Sequence, residues 1–329
     1  YNLSRFDKDF LSQDKILFIE NIIRKKKISL IEMSYGFFLL AEYEKKKKKF
    51  SKKIEYLDKA HELLFNSNKI ANLKTLDYWK KIIPKKYNKF IFENLNVDNK
   101  LREFKPIFIV GLPRSGSTVI EVLLSSGKNK IKSLGEASIF NGIIAKKFTS
   151  ENKSALDLKI VGDQILKIFE DRNYVMKNKV FVDKSLENFF YIDVIIKIFP
   201  NAKFINSTRN IEDNIFAIFN IYLEKLSWTK SLDYIVEYID NYLKIINYFT
   251  KKYPNQILRV NLEELTNNPD KISKEIYSFC DLKWSNKVLD FKNKEDLLIS
   301  TASNIQIRNN IKKYDYEKYK PYKYLLNTY

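Results

Sequence analysis

The 329-residue chain has little of several things that proteins use for chemistry. One cysteine, Cys280, excludes an intramolecular disulfide framework, and with a single histidine, His61, it excludes Cys/His zinc sites. A lone histidine also removes most histidine-based catalysis, and no metal site is expected. No window approaches the roughly 18 uncharged apolar residues of a membrane span, so none is expected. Arginine is scarce, 8 residues against 51 lysines. The net charge of +19 is spread along the chain with abundant Asn and Ile. That reads as a background composition, because a nucleic-acid surface clusters its charge and uses arginine forks. No nucleic-acid partner is therefore expected. The run Lys45 to Lys49 reads as a solvated helix end or turn. A positive surface still raises the encounter rate with multiply anionic ligands. With 45% apolar and 30% charged residues the chain is globular, and its length predicts two domains. It begins at Tyr1 without a signal-peptide pattern, as expected of a trimmed chain, and the lack of disulfides predicts a cytoplasmic protein.

What is present divides at about residue 103. Residues 14 to about 96 read as helices, with one proline, Pro84. Segment 29–46 carries Leu30, Met33, Phe37, Leu40 and Ala41 at helical spacing, and segment 50–66 repeats this with Ile54, Leu57, Ala60, Leu64 and Phe65. The small Ala41 and Ala60 fall where a tetratricopeptide-like helix pair places its packing residues, although Glu44 and Lys53 depart from that frame. Residues 1–103 are thus expected to form a small all-α, partly tetratricopeptide-like module, with His61 a surface or half-buried structural residue.

Residues 104–329 read as an α/β domain. Pro106-Ile-Phe-Ile-Val110 is a buried strand, Gly111-Leu-Pro-Arg-Ser-Gly-Ser-Thr118 a glycine-bounded loop, and Val119-Ile-Glu-Val-Leu-Leu124 an amphipathic helix. Strand, loop and helix N-terminus in that order direct successive amides at one anion. The nucleotidase form of the loop has Lys after the second glycine, and here Ser117 stands there. The cation must come from elsewhere. Arg114 in the loop and Lys184, after the strand-like Val180-Phe-Val182, are the candidates, since neighbouring parallel strands end on one edge. Asp183 would be a magnesium ligand in a nucleotidase reading.

These residues resemble the sulfotransferases. The loop is similar to their 5′-phosphosulfate loop, and Phe199-Pro-Asn-Ala-Lys-Phe-Ile-Asn-Ser-Thr-Arg209 to their 3′-phosphate strand and turn. Leu134-Gly-Glu136, Val182-Asp-Lys-Ser-Leu-Glu-Asn188, Val260-Asn-Leu-Glu-Glu-Leu265 and Thr301-Ala-Ser-Asn-Ile-Gln-Ile-Arg308 follow in the same order. The nearest likeness is to bacterial members carrying tetratricopeptide repeats, related to tyrosylprotein sulfotransferases. The resemblance implies a P-loop-like parallel sheet flanked by helices and the donor 3′-phosphoadenosine 5′-phosphosulfate, used without a metal. It implies donor contacts from Arg114, Ser115, Gly116, Ser117, Thr118, Arg209, Ser303 and Arg308. Lys184 would stabilise the bridging oxygen, and Glu136 would take the acceptor's proton, a task no histidine is placed to share. Helix capping by Glu136 is the bland alternative. Ala217 and Asn261 stand where the family has a serine and a tyrosine, and Ser207 or Thr208 would have to compensate for that serine.

The acceptor, whether peptide tyrosine, carbohydrate or small molecule, is not legible, and the helical module offers a surface for a protein contact. Two other classes stay open at this stage: a P-loop small-molecule kinase or nucleotidase, and a non-catalytic binding protein on a degenerate sulfotransferase domain.

Overall fold

Pattern and burial together explain why residues 107–111 become the middle of a sheet. In the computed structural model, which describes residues 11–25, 27–126, 131–150, 155–174, 179–290 and 311–327, every residue of this strand is buried. The strands are β1 (Ile91–Glu93), β2 (Ile107–Gly111), β3 (Lys132–Ser133), β4 (Ala155–Asp157), β5 (Phe181–Asp183), β6 (Lys203–Thr208) and β7 (Ile257–Asn261). Five of them form one sheet in the order β3-β5-β2-β6-β7, and every neighbouring pair is parallel. An all-parallel sheet requires helices on both faces, which is why its strands read as apolar runs rather than alternations.

The helices are α1 (Gln13–Lys25), α2 (Leu30–Lys46), α3 (Phe50–Asn66), α4 (Lys69–Asp77), α5 (Asn99–Arg102), α6 (Ser117–Ser125) and α7 (Ile139–Ser150), then α8 (Leu158–Asp171), α9 (Ile192–Ile198), α10 (Ile211–Phe219), α11 (Leu232–Lys252), α12 (Leu262–Asn267) and α13 (Pro269–Phe279). Side chains alternate along β2 and sort the core into two layers. Ile107 and Ile109 pack with Ile120 and Leu124 of α6, Val182, Ile205, and Ile276 and Tyr277 of α13. Phe108 faces the other way, into rings of Phe140, Phe181, Phe199 and Phe204 at centroid distances of 5.4 to 6.4 Å. The Tyr277 hydroxyl donates to the Leu123 carbonyl at 2.7 Å, tying α13 to α6.

By contacts the chain forms two compact units, and their limits follow packing rather than a single cut at 103. One unit comprises residues 1–81, 211–240 and 315–329, and the other 82–210 and 241–314. Residues 82–103 join the sheet unit because β1 pairs in parallel with β4, and because Leu101 and Val97 pack on Gly162 of α8. The strand β1 lies in a stretch the sequence reads as wholly helical.

In the first unit, α2 and α3 form the expected hairpin, with Ala41, Ala60, Leu40 and Leu57 buried. Ser29 opens α2 with a reciprocal capping box to Glu32, an arrangement worth about 1 kcal/mol. Lys53 and His61 of α3 reach the end of α10, which draws residues 211–240 into this unit. His61 Nε2–H donates to the Phe219 carbonyl at 2.8 Å. It is fully buried, and burial pushes it down to about 3, so it is a neutral structural residue rather than a surface one. Among the described residues no helix is long and apolar enough to cross a membrane.

Candidate active site at the sheet edge

The C-terminal ends of β5, β2 and β6 lie side by side, so the residues that follow them share one edge, where ligands of parallel α/β sheets bind. After β2 the loop turns on Gly111 at φ +138° and Gly116 at φ +97°, with Arg114 between them also left-handed at +68°. At Gly111 only a hydrogen fits, since a Cβ there would stand 2.5 Å from the Ser207 carbonyl oxygen. Gly116 is the N-cap of α6 and has no side chain to cap it. The alternation of left-handed residues and the uncapped first turn make an amide cradle suited to an anion.

The cradle is fastened from β6. The Ser207 hydroxyl donates to the Ser115 carbonyl at 2.8 Å, and the Ser115 hydroxyl lies 2.7 Å from the Leu112 carbonyl and 3.0 Å from Ser207 Oγ. Both hydroxyls are buried, so Ser115 and Ser207 shape the loop with their side chains. Ser207 thereby fastens the loop to β6. Ser117 and Thr118 occupy the first turn of α6. Arg209, two residues after Ser207, donates through an Nη to the Arg114 carbonyl at 3.3 Å and through Nε to the Tyr314 hydroxyl at 2.8 Å. The Tyr314 ring also lies 5.0 Å from its guanidinium carbon.

The same alternation explains Lys184. Val182 faces α6, so Lys184, two residues on, faces it too, while Asp183 points to the opposite layer. The ladder continues past β5, with Leu134 N–H donating to the Val182 carbonyl at 2.8 Å and Lys184 N–H to the Gly135 carbonyl at 2.9 Å. This brings Gly135, left-handed at +62°, and Glu136 beside Lys184. The buried Lys184 Nζ donates to Glu136 Oε1 at 2.7 Å. Its second carboxylate neighbour is Glu121 of α6, with Oε2 at 3.6 Å. Glu136 is 59% exposed, so its carboxylate meets solvent on the open side of a buried ammonium. It lies ahead of α7 without a capping bond to it, whereas Ser138 N–H donates to Ser185 Oγ at 2.7 Å and Ser138 Oγ to Glu187 at 2.6 Å.

Asp183 holds the turn after β5 through one oxygen. Its Oδ1 accepts from the Ser185 amide at 2.7 Å and from Asn188 Nδ2 at 3.3 Å, and burial raises it to about 6. Its Oδ2 is buried without a hydrogen-bond partner. Asn261 caps α12 by accepting from the Glu264 amide at 2.9 Å, a backbone role that the sequence comparison at this position does not convey. Ser303 and Arg308 lie outside the described residues. Of the remaining candidates, Arg114, Ser115, Gly116, Ser117, Thr118, Arg209, Lys184 and Glu136 all come to this edge. Three residues there went unread in the sequence: Glu121, Ser133 and Tyr314. A single acid within Val119-Ile-Glu-Val-Leu-Leu124 was the available signal for Glu121.

With this geometry in place, the comparisons with known proteins are direct. The family model described as Sulfotransferase family matches residues 106–286. An uncharacterized protein of Aquifex aeolicus is 28% identical over 316 residues, covering 89% of this chain and 40% of that protein. The chain therefore spans about two fifths of that relative's length. Among solved structures, the sulfotransferase domain from the Synechococcus PCC 7002 olefin synthase aligns at 17% identity and a TM-score of 0.48, over 67% of this chain and 88% of that one. The sulfotransferase domain from the curacin biosynthetic pathway aligns at 17% identity and 0.43, over 57% and 77%.

Proposed function

The chain belongs to the sulfotransferase family, and we propose that it moves the sulfuryl group of 3′-phosphoadenosine 5′-phosphosulfate to a hydroxyl or amine acceptor, with Glu136 as base. The observation that carries this reading is the pairing of buried Lys184 with solvent-facing Glu136 beside the glycine-bounded cradle. The amide cradle suits the donor's charged end, and the missing loop lysine is no defect for it, because Lys184 offers the cation from the neighbouring strand. Bound there, the donor supplies an activated sulfur–oxygen bond to phosphate.

The rest is asked of the chain. The first-turn amides, Thr118 and Arg114 hold the 5′-phosphosulfate, and Arg209 offers its fork to the 3′-phosphate. Ser303 and Arg308 are proposed to close over the same ligand. As the sulfur–oxygen bond to phosphate breaks and that to the acceptor forms, the acceptor's proton goes to Glu136. Lys184 then faces the negative charge left on the departing phosphate oxygen. Charge stabilisation and alignment of this kind are the main demands of group transfer between oxygens. We place the protein in the cytoplasm and assign the helical unit a role in presenting acceptors, both as parts of this reading.

Transfer of labelled sulfuryl from the donor to a panel of phenols, sugars and amines, without added metal, tests it. Labelled product at any acceptor is expected, and a panel with no product, from a chain that also fails to bind the donor, contradicts it.

A further inference from the structure

We propose that Glu121 is a positioning residue that sets both partners of the reaction at once, Lys184 through one carboxylate oxygen and the Glu136 turn through the other. This rests on the sulfuryl-transfer reading above and deepens it. Helix α6 is otherwise apolar along this stretch, with Ile120, Val122, Leu123 and Leu124 all buried. A carboxylate in such a place, here 8% exposed, costs free energy unless its oxygens are satisfied.

Only half of that requirement is met by ordinary means. Oε1 accepts from Ser133 Oγ at 2.5 Å, and the same hydroxyl accepts from the Gly135 amide at 3.0 Å, one residue before Glu136. One oxygen thus reaches the base through a single hydroxyl. Oε2 has no hydrogen-bond partner and stands 3.6 Å from Lys184 Nζ. Packing alone would be served better by leucine at this position.

The chemistry gives the arrangement a use. Lys184 is held between an exposed carboxylate and a buried one. Once Glu136 has taken a proton its negative charge is gone, and Glu121 is what keeps a charge against the lysine from the α6 side. The other charged groups around Lys184 are Asp183, preceding it on the chain, and Glu187, from the turn after β5. Neither bridges to Gly135, as Glu121 does through Ser133.

Glu121→Gln keeps the volume and the Ser133 contact and removes the charge facing Lys184. With sulfuryl transfer to 4-nitrophenol as the assay, kcat is expected to fall about 100-fold, the scale of a slightly misplaced reacting group. Affinity for adenosine 3′,5′-bisphosphate should stay within about threefold, because the nucleotide cradle is untouched. In a Lys184→Ala background the same change should cost less than about twofold, since a residue acting through Lys184 has nothing left to act on. Ser133→Ala, which leaves the carboxylate in place and cuts only its link to Gly135, should lower kcat by about tenfold at unchanged nucleotide affinity, and it carries the test if the glutamine variant does not fold. Wild-type turnover in Glu121→Gln, or an equal loss with and without Lys184, overturns the proposal and leaves the sulfuryl-transfer reading standing. A parent chain that neither binds the bisphosphate nor transfers sulfuryl overturns both.

Discussion

Both units of this molecule bury lysine, and Lys184 and Lys53 are treated in opposite ways. Lys184 in the sheet unit lies against two carboxylates, Glu136 at 2.7 Å and Glu121 at 3.6 Å. Lys53 in the helical unit has only neutral hydrogen-bond partners, the Asn220 side-chain oxygen and the Tyr322 hydroxyl, the latter at 3.1 Å, with its amine 4.6 Å from the Tyr322 ring centre. Burial accordingly pushes Lys53 down to about 7. A buried ammonium with acids around it is equipped to meet developing negative charge, whereas one among amides and phenols is mainly a cost to folding. The contrast separates the candidate site from the scaffold more sharply than burial alone.

The comparison breaks most visibly at Lys184. Lys184→Ala should lower turnover by about 10³-fold, the upper range for one charge-stabilising donor, while binding of adenosine 3′,5′-bisphosphate weakens modestly. Lys53→Met, by contrast, should leave turnover unaltered. Glu136→Gln comes next: nucleotide affinity is retained and turnover drops by about 10²-fold or more, as for loss of a general base. Stopped-assay kinetics beside calorimetry reads both.

Glycines sharpen the same contrast in stability. Gly111→Ala forces a side chain onto left-handed backbone and against the Ser207 carbonyl, and should cost roughly 2–4 kcal/mol in denaturant unfolding. At Gly36 of α2 the new methyl meets the ends of flexible side chains, Ile23 Cδ1 at 2.8 Å and Ile19 Cγ2 at 3.5 Å, so a helix-favouring alanine should shift stability by less than about 1 kcal/mol.

The last effect concerns pH. Lys53 is pushed to about 7 in the folded chain from an ordinary 10.5, so between those values the unfolded chain holds the extra proton and stability rises with pH. Lys230, also lowered to about 7 by burial, adds to this rise. Lys53→Met should remove about half of this rise between pH 7 and 9. Identical slopes in the two proteins would show that Lys53 is not the group responsible.

Much of this architecture was legible because it is written in local patterns. The two periodic segments became α2 and α3, ending at Lys46 and Asn66 as their spacing implied, and the strand, loop and helix at 106–124 folded in that order. Lys184 and Glu136 could be named from motifs, but their 2.7 Å contact depends on β3 joining the edge of the sheet, and two residues of strand leave almost no sequence signal. Glu121 was hidden for a different reason, since an acid on an apolar helix shows its purpose only when the group opposite is known. The bond by which Ser207 fastens the loop joins residues 92 apart in the chain and has no local signal. Lys53 stood out as a departure from a repeat frame and His61 as a surface or half-buried residue, and contacts with residues 211–240 and Tyr322, far along the chain, accompany their burial.

The proposed function requires this edge to hold a nucleotide carrying a 3′-phosphate without a metal. Calorimetric titration with adenosine 3′,5′-bisphosphate, ADP and ATP, each with magnesium and with chelator, tests it most directly. Tight binding of the bisphosphate alone, indifferent to magnesium, is the predicted result, and binding of ATP only with magnesium would contradict it.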